Sequence, residues 1–328
     1  MPAPSSSLAT LRPDLSGSMM EFDLAADRQG FIGLRVAPVF EVQQASGNWG
    51  KIPIEQLLQT RDTERAPGSG YSRGKFTFQP STFATREQGS EEPVDDNEAK
   101  LYANYFDAEM VSAERARDVV LRNQEIRVSN LIFNSGTWTG ASLTTGVTNE
   151  WDDATAATPI VDVEAAVRKV WNNSGVWPNS LIITRTVFRN LRNCDEIIER
   201  IASSGAGSAT KPTDITTTML AQCFDLENII VAGSSKNTAK VGQAATLAEI
   251  WSNEYAMVCY INPRASTDIK APTIARTWHW GEDGSEIGGL MESYRDETIR
   301  GDVIRCRHQT GEEVIYTELG HLLSNITT

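Results

Sequence analysis

The sequence has no stretch of about 18 consecutive apolar residues, the length that a membrane-spanning helix needs. Its mean hydropathy is −0.32, and the first ten residues, MPAPSSSLAT, have neither the basic residues nor the apolar run of a secretory signal peptide. No block of five or six like charges occurs, which argues against an acidic tail or a basic arm. We therefore expect no membrane partner.

Basic residues are scarce. The 328 residues include 30 Lys and Arg against 43 Asp and Glu, a net charge of −13. A surface that binds DNA by neutralising phosphates needs clustered Lys and Arg. The charge balance therefore argues against a dedicated nucleic-acid binder and leaves only weak or indirect contact with nucleic acid open.

Cysteine is too sparse for a disulfide framework or a zinc site. The four cysteines are separated by 29, 36 and 47 residues, and no CxxC motif is present. This spacing favours buried free thiols in a reducing compartment, at Cys194, Cys223, Cys259 and Cys306.

Motifs that carry catalytic or cofactor chemistry are absent: there is no GxxxxGK[ST], HExxH or GxSxG. The glycine-rich segment 68–74 lacks a preceding strand and a following helix, so we interpret it as a hairpin tip rather than a phosphate cradle. Glu282, Asp283 and Glu286 lack the EF-hand spacing, which favours a solvated turn. His279 is predicted to be a hydrogen-bonded structural histidine on a strand. We predict no catalytic residue, cofactor or metal.

The length allows two sizeable cores. Residues 1–35 are predicted to form an irregular, extended arm, because Pro, Ser and Gly interrupt them and their apolar residues keep no period. The β-branched and aromatic residues of 34–43 then predict a strand.

Alternating apolar residues on both sides of a glycine-rich segment predict a long two-stranded ribbon whose tip lies near 66–74. Such a hairpin is marginal alone in water, because it cannot bury its own Ile52, Phe76 and Phe78. No other part of the chain obviously supplies the missing surface. The ribbon therefore indicates an assembly.

The strongest local signal lies between residues 95 and 134, which contain no Gly or Pro. Asp95 and Glu98 have capping-box spacing, and apolar residues follow at helical intervals. One helix of roughly 55 Å is predicted, the alternative being two helices broken near 123–124. Its mixed-charge face, with Arg115 and Arg117, is expected to be solvated or ion-paired at a subunit contact.

Helical and strand patterns alternate from 159 to 265 and predict a compact α/β unit. Amphipathic residues predict a helix over 159–175, with Val163, Val170 and Trp171 on its apolar side and Gly175 as its end. Further helices are predicted through 188–191 and over 214–224, and strands over 181–184, 228–234 and 255–262. After residue 273 the pattern is mainly β, in short runs divided at 281–284 and at Gly311.

The order of these parts resembles the major capsid proteins of tailed bacteriophages, the Hong Kong phage type of shell fold, in its lambda-like branch. The residues that carry the resemblance span nearly the whole chain. They are 52–55 (IPIE), 61–70 (RDTERAPGSG), 75–78 (KFTF), 91–98 (EEPVDDNE), 170–171 (VW), 175–183 (GVWPNSLII), Phe188, Leu191, 294–296 (YRD) through 303–305 (VIR), and 320–325 (GHLLSN).

The resemblance implies an α+β phage major capsid fold. Residues 1–40 would be an N-terminal arm, 41–92 an extended E-loop β-hairpin, 93–158 a P-domain with a long spine helix, 159–265 an α/β A-domain, and 266–328 the returning P-domain strands and C-terminus.

The implied function is structural. Copies of the chain would self-assemble into hexamers and pentamers of an icosahedral shell that encloses double-stranded DNA and contacts it weakly. Implied partners are a portal, a separate scaffolding protein, since no long helical segment precedes the arm, and optionally a decoration protein. The implied location is the virion, with assembly in the host bacterial cytoplasm.

The resemblance also implies which residues meet a neighbouring subunit. In the E-loop they are Ile52, Arg61, Arg65, Gly68, Gly70, Arg73, Phe76, Phe78 and Arg86. In the spine helix the residues singled out are Tyr102, Phe106, Met110, Arg115 and Arg117. Lys51 and Lys75, the lysines of the ribbon, are not placed for an isopeptide cross-link, so a non-covalent shell is expected.

Two alternatives stay open. An encapsulin nanocompartment shares the shell fold, and an α/β enzyme could have its site in 159–265. The enzyme would need a ligand site there, and the segment has no glycine fingerprint for one.

Overall fold

Two β-sheets joined by one long helix organise the chain. The computed structural model describes residues 10–11, 30–51, 53, 56, 58–75, 77–102, 107–203 and 211–328. The strands are β1 Thr10–Leu11, β2 Val39–Val42, β3 Ser46–Lys51, β4 Gln79–Ala84, β5 Arg86–Asp95, β6 Thr144–Gly146, β7 Ser180–Thr184, β8 Asn228–Ala232, β9 Ser235–Asn237, β10 Leu247–Glu249, β11 Tyr255–Cys259, β12 Ala275–Trp280, β13 Leu290–Asp296, β14 Gly301–Val314 and β15 Gly320–Ser324. The helices are α1 Gly33–Val36, α2 Asp96–Tyr102, α3 Ala108–Ile132, α4 Pro159–Ser174, α5 Arg185–Asn193, α6 Asp195–Ser203 and α7 Thr217–Cys223.

The first sheet is built around β14. It has the order β1-β13-β14-β12-β2, and β5 also pairs with β14; all pairs are antiparallel except β12 with β2. Gly311 lies inside β14, so the prediction that it divides two strands was wrong. A Cβ at Gly311 would lie 2.3 Å from the Ala84 carbonyl oxygen, so this glycine permits a close backbone approach rather than a turn.

The second sheet has the order β6-β15-β11-β7-β8 and carries helices α4 to α7. Every residue of β7 is buried, as a strand covered on both faces requires. Helix α4 begins with Pro159 and ends at Gly175, whose φ of 70° is the left-handed conformation that stops a helix. The helices and strands predicted to alternate from residue 159 are present, but the sheet also takes β6 and β15 from outside 159–265.

Helix α3 joins the two sheets. Ala113, Ala116 and Val120 in its first half pack on β5, β13 and β14, whereas Val128 and Ile132 in its second half pack beneath the second sheet. At 1.5 Å per residue its 25 residues span about 37 Å. No helix in the described part of the chain is long and apolar enough to cross a membrane.

The single 55 Å helix was a wrong prediction. Asp95 does cap the first helix, accepting a hydrogen bond from the Asn97 backbone N–H at 2.7 Å. However, a second cap follows at Asp107, whose carboxylate accepts from the Glu109 and Met110 backbone N–H groups and starts α3. The alternative break near 123–124 was also wrong, because α3 continues through it.

The ribbon is a hairpin with a short paired root. Strands β3 and β4 pair over six residues each, from Ser46 opposite Ala84 to Lys51 opposite Gln79. Beyond this root, residues 58–75, named here the tip loop, contain no strand. The long ribbon was therefore predicted in the right place but with too much pairing. The strand predicted over 34–43 is likewise shorter than expected: only β2, Val39–Val42, is a strand, because residues 34–36 belong to α1.

Candidate assembly surface

The root of the hairpin rests on the first sheet of its own chain. Phe83 stacks on Trp278 with ring centroids 4.8 Å apart, and Phe40 meets the same indole edge-on at 5.7 Å. Trp49 lies 6.3 Å from it on the other strand of the hairpin. Stacked and edge-on aromatic pairs contribute about 0.5–1.5 kcal/mol each beyond burial. The expectation that no part of the chain supplies a surface was therefore wrong for the root.

Arg276 fixes the loop beneath this root. The side chain is buried, and its guanidinium donates to the carbonyl oxygens of Asp268 and Ala271, each at 3.2 Å. It also lies 5.0 Å from the Phe40 ring centroid and 5.4 Å from that of Trp278, a cation–π arrangement. Burial lowers the pKa of this guanidinium. The arginine thus ties the segment 268–271 to the aromatic base of the hairpin.

The tip loop, by contrast, is exposed along its whole length. Five of the predicted contact residues lie in it: Arg61, Arg65, Gly68, Gly70 and Arg73. Arg65 donates through Nε to the Ser69 carbonyl oxygen at 2.6 Å and covers the exposed Tyr71 ring at 4.9 Å. Phe78, at the end of the loop, is 70% exposed. The tip loop therefore presents its side chains to solvent rather than to the body of its own chain.

Three other predicted contacts fall elsewhere. Arg86 is exposed but belongs to the first sheet, where it opens β5 opposite Thr310. Met110 is exposed on α3, and Arg115 is exposed and pairs with Glu92 at 3.6 Å. The predictions for Ile52, Phe76 and Phe106 lie outside the described residues, as does the side chain of Tyr102 at the end of α2.

Arg117 corrects the predicted solvated face of the spine helix. Only 3% of this residue is exposed, and its charge is close enough to the buried Cys306 thiol to act on that thiol's pKa. Arg115 and Arg117 are two residues apart, about 200° around a helix, so they point in different directions. The sheet formed by β5 and β14 covers Arg117 and leaves Arg115 exposed.

A buried carboxylate that the sequence did not single out holds the end of the N-terminal segment. Glu125 on α3 accepts hydrogen bonds from the backbone N–H groups of Ile32 and Gly33 and from the indole N–H of Trp251, at 2.9, 2.7 and 2.6 Å. Burial raises the pKa of this carboxyl, and the three donors partly oppose the rise. A buried Glu amid helical apolar positions looks like an ordinary surface residue in the sequence.

His279 and Asp283 differ from their predictions, whereas Glu282 and Glu286 are exposed, as a solvated turn requires. His279 does lie on strand β12, but neither ring nitrogen has a hydrogen-bond partner within the described residues, and burial lowers its pKa. Asp283 is half-buried: its carboxylate pairs with Arg307 at 2.5 Å and accepts from the Ser285 backbone N–H at 3.0 Å. These contacts hold the pKa of Asp283 below its ordinary value despite partial burial.

The thiols are free. Cys194, Cys259 and Cys306 are buried and Cys223 is half-buried, so the prediction is confirmed for three of the four. Burial raises the pKa of the Cys306 thiol to about 12, which keeps it protonated and unreactive at neutral pH. Within the described ranges, no three His, Cys, Asp or Glu side chains converge so as to hold a metal ion.

Comparisons with known proteins bear on this architecture. No family model matches the chain. The sequence is 23% identical over 291 residues to the major capsid protein of Pseudomonas phage JBD67, covering 88% of this chain and 90% of that protein.

Solved structures share the fold. A phage-related protein from Bordetella bronchiseptica RB50 matches with a TM-score of 0.71 at 18% identity, over 97% of this chain and 98% of that one. The capsid of the myovirus phage XM1 matches with a TM-score of 0.56 at 11% identity, over 90% and 92%. The chain is thus related to phage major capsid proteins and has their α+β shell fold, as the resemblance implied.

Proposed function

We propose that this chain is the major capsid protein of a phage, and that its copies form hexamers and pentamers that close into an icosahedral shell around double-stranded DNA. The tip loop is the observation that carries the proposal. It extends from a hairpin whose root is anchored by Phe83 and Trp278, yet each of its own residues is exposed. An ordered root with an unburied end is what a contact between copies requires.

Charge supports contact between copies of the same chain. The tip loop carries four cationic and two acidic side chains on a molecule whose net charge is −13. A second copy therefore offers mainly acidic surface to this loop. Charge complementarity of this kind sets the register and rate of association more than its affinity.

The division of the chain follows the same proposal. The arm would be residues 1–40, the E-loop 41–92 and the A-domain 159–265, with the P-domain formed by 93–158 and 266–328. Strands β12 to β14 of the first sheet and α3 would then belong to the P-domain, and β7, β8 and β11 of the second sheet with α4 to α7 would belong to the A-domain. The acidic balance favours weak contact with packaged DNA, because tight binding everywhere would hinder packaging and release.

A viral shell is favoured over the two alternatives. Encapsulins share the shell fold, so fold alone does not separate them, but the sequence relative is a phage protein. That relative is named a major capsid protein, which supports a structural rather than a catalytic function. A portal, a separate scaffolding protein, an optional decoration protein and a virion location belong to the proposal. The lambda-like branch stays a prediction.

Deleting residues 60–74 tests the proposal. We expect the purified wild-type chain to form closed shells under negative-stain electron microscopy, and the deletion variant to remain folded by circular dichroism without forming shells. Deleting 239–245, the exposed turn between β9 and β10, is the matched control and should leave assembly intact. Normal shells from the 60–74 deletion would refute the role of the tip loop.

A further inference from the structure

Two stacked tryptophans face solvent where α4 ends. Trp171 is 44% and Trp177 60% exposed, with ring centroids 5.8 Å apart and planes inclined by 28°. The sequence pattern placed Trp171 on the apolar side of α4, so its exposure is a correction. Together the two indoles leave on the order of 200 Å² of aromatic surface uncovered. Area alone does not distinguish this pair from ordinary surface, but exposed Trp is the residue type most enriched where interfaces concentrate their binding energy.

The start of the tip loop extends this surface. A Cβ placed on Gly175, between the tryptophans in sequence, would lie 2.8 Å from Cδ1 of Leu58, so Leu58 rests against the end of α4. Leu58 is itself 62% exposed. We name Leu58, Trp171 and Trp177 the tryptophan patch.

An acidic turn is bonded to the segment that follows Trp177. The Glu227 backbone N–H donates to the Asn179 carbonyl oxygen at 3.1 Å, which holds the turn before β8 beside the segment that follows Trp177. Glu227 and Asp225 on this turn are exposed. Two exposed carboxylates thus lie on a turn that is bonded to the segment following Trp177.

The far end of the tip loop has the complementary chemistry. Arg65 lies over the ring of Tyr71, and both side chains are exposed. Arg73 and Lys75 follow within a few residues, and the loop has a net charge of +2. Trp is the best aromatic partner for a cation, and Trp, Tyr and Arg are the residues that most often dominate protein interfaces.

We propose that the tryptophan patch of one copy receives the Arg65–Tyr71 end of the tip loop of a second copy. Because the patch and the loop end are different surfaces, the contact is head-to-tail and can repeat around a ring. The area of the patch is well below the roughly 800 Å² per partner that a stable isolated interface buries. A single contact of this kind would therefore be weak, and it contributes to stability only where many copies form it together. The inference rests on the proposed self-assembly and specifies which surface the loop meets.

Photo-cross-linking tests the contact in full-length chains. Benzoylphenylalanine replaces Trp177, and unlabelled and ¹⁵N-labelled copies of this variant are co-assembled before irradiation. We expect mass spectrometry to find residue 177 joined to a peptide within 59–75. With equal amounts of the two copies, half of these cross-links should join a labelled peptide to an unlabelled one. Cross-links of a single isotope composition, cross-links to another segment, or none in assembled shells would overturn the inference.

Assembly kinetics give an independent measurement. Trp171→Ala with Trp177→Ala, and separately Arg65→Ala with Tyr71→Ala, should each slow shell formation by at least about tenfold, as loss of interface hot spots does. Because both pairs would remove the same contact, the combined variant should be no slower than either. Val241→Ala, at another exposed apolar position, is the control. Additive slowing by the two pairs would contradict a shared contact.

The proposed function can fail separately from this inference. A wild-type chain that forms no shells would refute the function. If the wild-type chain forms shells and the patch variants form them at the wild-type rate, only the inference is refuted.

Discussion

The backbone N–H of Gly33 donates to Oε2 of Glu125 at 2.7 Å, across 92 residues of sequence. The other carboxylate oxygen accepts from Ile32 and from the Trp251 indole. Three donors thus replace water around a buried charge and tie the first residues of α1 to the middle of α3. Because α3 contacts both sheets, this single carboxylate links the end of the N-terminal segment to the whole body.

Gly33→Ala should destabilise the protein. The added Cβ would lie 2.6 Å from Oε2 of Glu125, so either the segment or the carboxylate must move and a buried hydrogen bond is lost. We expect a loss of about 1–3 kcal/mol in the free energy of unfolding, measured by urea denaturation. Leu34→Ala, at the next and exposed position, should change it by less than about 0.5 kcal/mol. Equal effects of the two substitutions would contradict this role for Gly33.

Glu125→Gln should change how stability depends on pH. Burial raises the folded-state pKa of Glu125 above its unfolded value, so the folded protein holds this proton more tightly. The stability that this group contributes is therefore present below its unfolded pKa and is lost as pH rises through the raised folded pKa. Relative to wild type, the Gln variant should be more stable at pH 8 than at pH 4. A difference in unfolding free energy that stays constant or runs the other way would contradict this assignment.

His321 should contribute to acid unfolding with the opposite slope. Its Nδ1–H donates to the Ser142 carbonyl and its Nε2 accepts from the Thr145 hydroxyl, an assignment made from the hydrogen-bond partners. Burial, with the nearby Lys169 charge, lowers its pKa to about 4. Stability present above about pH 6.5, the unfolded value, is lost as pH falls toward 4, by on the order of 3 kcal/mol.

His321→Gln provides the measurement. Between pH 7.5 and 4, the unfolding free energy of wild type minus that of the variant should fall by on the order of 3 kcal/mol, because only wild type has this imidazole to protonate. The absolute stability of the variant does not matter for this comparison. Parallel pH profiles would show that His321 is not the group that titrates.

Charge reversal at the tip loop should affect assembly and not folding. Arg61→Glu with Arg65→Glu removes the cations that meet a neighbour's acidic surface, so light scattering should show slow or misdirected assembly. Both side chains are exposed, so monomer stability should change by less than about 1 kcal/mol. Lys240→Glu, on the turn between β9 and β10, is the control. A double variant that fails to fold would argue against an interface role.

The shell should be held without covalent cross-links. Lys51 lies 5.2 Å from the Tyr316 ring centroid at the hairpin root, and Lys75 ends the exposed tip loop. An isopeptide bond needs an amine held against an amide in a water-excluded site. Particles boiled in denaturing detergent with reductant should therefore run as one band near 36.0 kDa. A ladder of larger species would show that a lysine is used.

Local signals predicted the elements that local interactions define. Pro159 and Gly175 mark the ends of α4, and the apolar run at β7 indicates a strand buried on both faces. The break before α3 was missed because Asp107 is a capping residue within an otherwise continuous helical pattern. An aspartate that caps a helix and one that faces solvent from the middle of a helix are indistinguishable in the sequence.

The sequence by itself determined the acidic balance, the order of the parts and the tip of the hairpin, because periodicity and turn residues act over a few neighbours, and the class of fold followed from the resemblance of that order to phage major capsid proteins. The tertiary structure alone decided which polar and aromatic side chains are buried. Arg117 and Glu125 are buried because β14, α1 and Trp251 pack over them, whereas Trp171 is left exposed because no described element covers that side of α4. Burial depends on contacts between segments about a hundred or more residues apart, and no local pattern records them.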